Sequence, residues 1–97
     1  MELQVKRSED QVDGTYAVKD QSVMTEALEV LTQLSSNKKI ILIAKGDLIP
    51  NAVAVANIVT ENMLKGNSSI QEIKVDSIIS EDDGQMTSNI EITIIKN

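Results

Sequence analysis

The sequence predicts a two-layer α/β (α+β) sandwich with the element order β-α-β-α-β-β. Three observations predict it. An unbroken apolar run covers residues 40–44 and is too short for a helix between its neighbours. Helical periodicity flanks that run on both sides, and two alternating segments near the C-terminus are separated by Asp83-Gly84. At 97 residues the chain is one domain, long enough to bury a core and small enough to gain stability from a partner.

Residues 1–13 are charged and poor in apolar side chains, which predicts a flexible N-terminal extension before a domain over 14–97. Residues 15–18 form a short strand candidate. Ser22 is placed to cap a first helix, with Glu26 near its positive end. Met24, Ala27, Leu28, Leu31 and Leu34 fall on one face, and Thr25, Glu26, Glu29, Thr32 and Gln33 on the other, so the first group is expected against the sheet. The apolar run 40–44 is a central strand, Gly46 supplies a turn, and Pro50 suits the first turn of a second helix over about residues 50–64.

In that second helix Ala52, Ala56, Val59 and Met63 make one apolar stripe, and Val55 and Ile58 a second. One sheet covers one stripe, so a dimer built from the second helix and the last two strands is expected, with Val55 and Ile58 of the second stripe, and Met63 beside them, at its interface. Residues 70–79 alternate with Ile73, Val75, Ser77 and Ile79 to one side; residues 89–95 alternate with Ile90, Ile92 and Ile94 inward. Between them, residues 80–86 are an acidic hairpin tip.

Composition narrows the chemistry. Without cysteine or histidine there is no disulfide framework, no thiolate or imidazole metal site and no histidine base, so an enzyme is not expected. No cofactor is implied. Glu81, Asp82 and Asp83 match no calcium-loop spacing and are expected to be solvated rather than to hold a metal. Lys45-Gly46 lacks the remainder of a phosphate-binding loop. Tyr16 is the only aromatic residue, which argues against stacking platforms for single-stranded bases. No run is long enough to span a bilayer and the N-terminus is unlike a secretory signal, so a cytoplasmic protein is expected. The net charge of −6 opposes phosphate binding, and no basic cluster exceeds two residues.

Several segments, in order and with near-constant spacing, resemble the Alba family of small archaeal chromatin and RNA-binding proteins. They are Ser22-Val23-Met24, Ala44-Lys45-Gly46 with Ala52-Val53, Ile70-Gln71-Glu72-Ile73-Lys74-Val75, and Ile90-Glu91-Ile92. The topology is also similar to that of the C-terminal domain of translation initiation factor three. The resemblance implies a nucleoid-associated DNA- or RNA-binding protein, either a homodimer or a heterodimer with a basic paralogue. Its body would sit over the duplex backbone and hairpin arms would reach into the minor grooves. Carried over, the family's basic positions fall at Asp20 and Gln21, at Lys45-Gly46-Asp47, at Asn51 and in the acidic hairpin tip, where only Lys45 keeps its charge. With neighbouring Lys19, the resemblance thus implies a nucleic-acid-facing set of Lys19, Gln21, Lys45, Gly46 and Asn51. An acidic, divergent member with weakened, partner-dependent binding is expected. The alternative is an interaction module that pairs with a basic paralogue and modulates its nucleic-acid binding.

Overall fold

A computed structural model describes residues 14–97 and places β1 (Thr15–Ala17), α1 (Val23–Asn37), β2 (Lys39–Lys45), α2 (Ile49–Ile58), β3 (Ser68–Ile79) and β4 (Met86–Lys96). A 3₁₀ turn over Gly46–Leu48 leads into α2, and a π-helical turn over Val59–Met63 extends it. The expected extension over 1–13 lies outside the described residues. The strands form one sheet in the order β1-β2-β4-β3, with β1 parallel to β2 and the other pairs antiparallel.

β2 is central because its sequence is apolar on both sides. Ile40, Leu42 and Ala44 are buried beneath the helices, while Ile41 and Ile43 are half-buried on the opposite face. Leu42 pairs with Tyr16 on one side and Ile92 on the other, so the core runs across three strands at this level. The helices close over it with Ala27, Val30 and Leu34 from α1 and Ala52, Val55 and Ala56 from α2.

α1 begins where Ser22 Oγ accepts the Thr25 backbone N–H at 3.4 Å, as the sequence leads one to expect. Its inward face differs from the expected one. Glu26, Ala27, Val30 and Leu34 point in, Leu31 is half-buried, and Met24 and Leu28 are 53% and 51% exposed. The spacing 26-30-34 is as helical as 24-28-31, so periodicity alone does not choose between them. A polar partner for Glu26 decides, as the site geometry shows below.

The second correction concerns α2. Val55 is 0% exposed within this single chain and Ile58 is half-buried against the same core. The expected second, outward stripe is therefore folded inward, because α2 packs against both α1 and the sheet and two stripes are covered by one chain. Met63 is also half-buried against this core.

The uncovered apolar surface lies on β3, one of the last two strands expected at a dimer interface. A bulge at Gln71 shifts the register, so that Ile70 faces Ile94, Ile73 faces Ile92 and Val75 faces Ile90, all on the helix-bearing side. Beyond the π-helical turn that extends α2, the helices leave this edge strand largely bare, and Val75 is 68% exposed. β3 and β4 are longer than the alternation suggested and continue as a ribbon to a turn over 80–85. There Ser80 N–H donates to Gln85 O and Gly84 N–H to Ser80 O, and Gly84 adopts the positive φ of 70° that an Asp-Gly turn requires. The backbone N–H of Gln85, followed by the Ser80 hydroxyl, holds the exposed Asp83 carboxyl below its usual range.

Candidate nucleic-acid interface

The residues singled out from the sequence come from two connections at the same end of the sheet. Parallel pairing of β1 and β2 brings their C-terminal ends side by side, and Val18 N–H donates to Ile43 O at 2.8 Å to extend that pairing. Lys19 and Lys45 thus follow the paired ends of these two strands. Lys19, Asp20 and Gln21 occupy the β1–α1 loop and are exposed. Lys45 ends β2, Gly46 turns the chain at φ 52°, and Asn51 lies half-buried in the first turns of α2. A methyl group at Gly46 would meet nothing within 4 Å, so its need for glycine is conformational rather than steric.

All five expected residues, Lys19, Gln21, Lys45, Gly46 and Asn51, are thus gathered at one end. Asp20 and Asp47 stand among them. α1 and the 3₁₀–α2 unit both start here, and helix starts direct free N–H groups and positive partial charge outward. The surface combines two lysines, two helix starts and two aspartates. Anions are attracted by the first two and repelled by the last.

Sequence reasoning missed the network beneath this loop. Glu26 is 0% exposed, and its Oε2 accepts the Lys19 backbone N–H at 2.7 Å and the Tyr16 hydroxyl at 3.2 Å. Tyr16 also donates to Glu29 Oε1, which receives the Gln21 side-chain amide at 3.3 Å. The Lys19 ammonium lies 4.9 Å from the centre of the Tyr16 ring. Glu26 therefore ties strand, loop and helix together. Its second oxygen, Oε1, is enclosed without a hydrogen-bond partner among the described residues. The available sequence signal was the four-residue spacing of Glu26, Val30 and Leu34 together with a lone tyrosine on the preceding strand.

Against this geometry the comparisons decide the family. The Alba family model matches residues 15–77, well over half of the chain. Alba from Thermoplasma volcanium is 32% identical, superposes with a TM-score of 0.71, and the match covers 84% of this chain and 99% of that one. The chain belongs to the Alba family. Alba proteins are generally non-enzymatic, bind nucleic acids and form dimers. ALBA1 from Trypanosoma brucei, at 17% identity and a TM-score of 0.66, shares the fold; that match covers 87% of this chain and 70% of that one. Within the Alba fold, the loop from Lys19 to Gln21 and the turn from Lys45 to Asp47 stand at the same end of the sheet, each with an exposed lysine and an exposed aspartate. Among the described residues no cluster of acidic, histidine or cysteine side chains is placed to hold a metal, and no helix is long and apolar enough to cross a membrane.

The Tyr16 network makes one direct prediction. Burial first, then the hydrogen bond to Glu29 and the nearby Glu26 and Glu29 charges, raise the phenol far above its ordinary value of 10.0. A raised folded value favours the neutral phenol, so its stabilisation is complete below pH 10.0 and is lost as pH rises towards the folded value. In an ultraviolet titration the folded protein should show no phenolate absorbance at pH 10.0, where the urea-unfolded chain is half ionised. Half-ionisation of the folded protein at that pH would remove the network from this account.

Proposed function

We propose that this chain is a non-enzymatic nucleic-acid-binding protein of the Alba type that engages duplex DNA or RNA weakly and salt-dependently through the Lys19–Gln21 and Lys45–Asn51 connections. The observation that carries it is the convergence of both segments, with two helix starts, at one end of the sheet. Affinity is limited because Asp20 and Asp47 stand where a phosphate-facing surface calls for cations, and because the hairpin tip presents exposed Glu81, Asp82 and Asp83 to any groove it enters. A cytoplasmic, nucleoid-associated location goes with this reading.

A second reading is favoured by the same acidic tip and by the uncovered row on β3. The chain would then act as an interaction module that pairs with a basic paralogue and lends that partner's charge to the complex. Both readings use a dimer. With Val55 occupied in the core, its surface consists of the exposed Ile73 and Val75, with the half-buried Ile58 and Met63 as the remaining candidates on the helical side. Ile73→Asp with Val75→Asp should lower the sedimentation mass to that of a monomer. A wild-type protein already monomeric at high micromolar concentration would refute the dimer.

The test of the main reading is a fluorescence-anisotropy titration with a labelled duplex at two salt concentrations. Wild type should bind at low salt only. Asp20→Lys, Gln21→Lys and Asp47→Arg together should bind more tightly, and each new phosphate contact should steepen the salt dependence by about one unit. Wild-type binding that appears only with a basic paralogue present would select the second reading. No gain in the triple variant would show that this end does not face nucleic acid.

A further inference from the structure

The Glu26–Tyr16–Glu29 network is an unusual neighbour for a loop that meets phosphate. Glu29 belongs to α1, yet its Oε1 accepts from Tyr16 of β1 and from the Gln21 side chain of the loop itself. Lys19, Tyr16 and Glu29 line one open cleft of about 460 Å³ whose other side is formed by Thr32 and Gln33. The Lys19 side chain lies over the Tyr16 ring rather than projecting away from the body. The loop's one long amide is thereby drawn towards a carboxylate that is itself solvent-exposed, with the loop's cation on the neighbouring ring. Nothing in the packing requires an acid at position 29. Glutamine has the same reach and an oxygen able to accept the Tyr16 hydroxyl. Glu26 differs, since it is enclosed and receives the Lys19 backbone N–H.

We propose that the Glu29 carboxylate is an intramolecular competitor for phosphate, holding Gln21 and Tyr16 beside Lys19 and so setting how weakly the β1–α1 loop binds nucleic acid. This rests on the nucleic-acid reading above. It assigns weak binding to one particular contact in addition to the missing cations. When phosphate approaches, Lys19 must leave the cleft and Gln21 its hydrogen bond to Glu29, and the negative charge left behind opposes the incoming one. The opposition is screened by salt within about 10 Å at 0.1 M, so it is felt at low ionic strength.

The experiment compares Glu29→Gln with Glu61→Gln by anisotropy against the same labelled duplex. Glu61 lies in the π-helical turn at the far end of α2, so its substitution makes the same change in net charge away from the loop. Glu29→Gln should bind about five- to tenfold more tightly at low salt, with the gain vanishing as salt rises, and Glu61→Gln less than about twofold. Circular dichroism and the emission of Tyr16, the sole aromatic residue, report whether the network survives. Glu29→Ala removes the charge and the hydrogen bonds together and should gain affinity similarly. Equal effects of Glu29→Gln and Glu61→Gln would overturn the proposal, since net charge alone would then suffice. Loss of fold in both Glu29 variants would assign the residue a structural role and overturn it too. If the charge-restored triple variant binds while Glu29→Gln does not gain, only the competitor fails. If the triple variant binds nothing at low salt, the nucleic-acid reading fails and takes the competitor with it.

Discussion

The molecule depends on the position of β2. Its seven residues pair with β1 in parallel and with β4 in antiparallel, and its inward side chains Ile40, Leu42 and Ala44 form the floor on which both helices rest. Parallel pairing with β1 requires a crossover, which is α1, and the crossover places the start of α1 beside the start of α2. The candidate interface is thus a consequence of sheet topology. Residues far apart in sequence, Lys19 and Lys45, stand at the same end of the sheet because the two strands before them point the same way.

The same arrangement leaves β3 at an open edge. Two helices cover three strands, and the fourth carries Ile70, Ile73, Val75 and Ile79 on the covered side of the sheet largely without a cover of its own. The bulge at Gln71 keeps Ile70 and Ile73 on that side together, which a regular strand would not do. The ribbon's far end is acidic where a groove-entering arm benefits from cations. Topology and charge therefore pull in different directions in this chain: the backbone follows the Alba pattern, while the loops at the proposed nucleic-acid end carry Asp20 and Asp47 beside Lys19 and Lys45.

Much of the fold was legible because its signals are local. The apolar run of β2, the Ser22 cap, the Gly84 turn and the inward isoleucines of β4 all stand as the sequence suggests. The errors came where burial depends on partners distant in sequence. Glu26 is inward only because Tyr16 and the Lys19 amide supply donors, while Met24 and Leu28 stay exposed. Val55 is inward because α1 and the sheet meet α2 on adjacent sides. The positions of the proposed site came from the family resemblance, whereas the carboxylate network under them left only the four-residue spacing of Glu26, Val30 and Leu34 and a lone tyrosine, because hydrogen bonds between β1 and α1 join residues distant in sequence.

The central claim is that the β1–α1 loop and the β2–α2 turn act as one nucleic-acid face. The most direct measurement is a ¹⁵N chemical-shift titration of the protein with a short duplex at low salt. The account predicts that the amides of residues 19–21 and 45–51 shift together along a single saturation curve that salt reverses. Shifts confined to the exposed row of β3 or to Met24 and Leu28 of α1, with residues 19–21 and 45–51 unmoved, would contradict it.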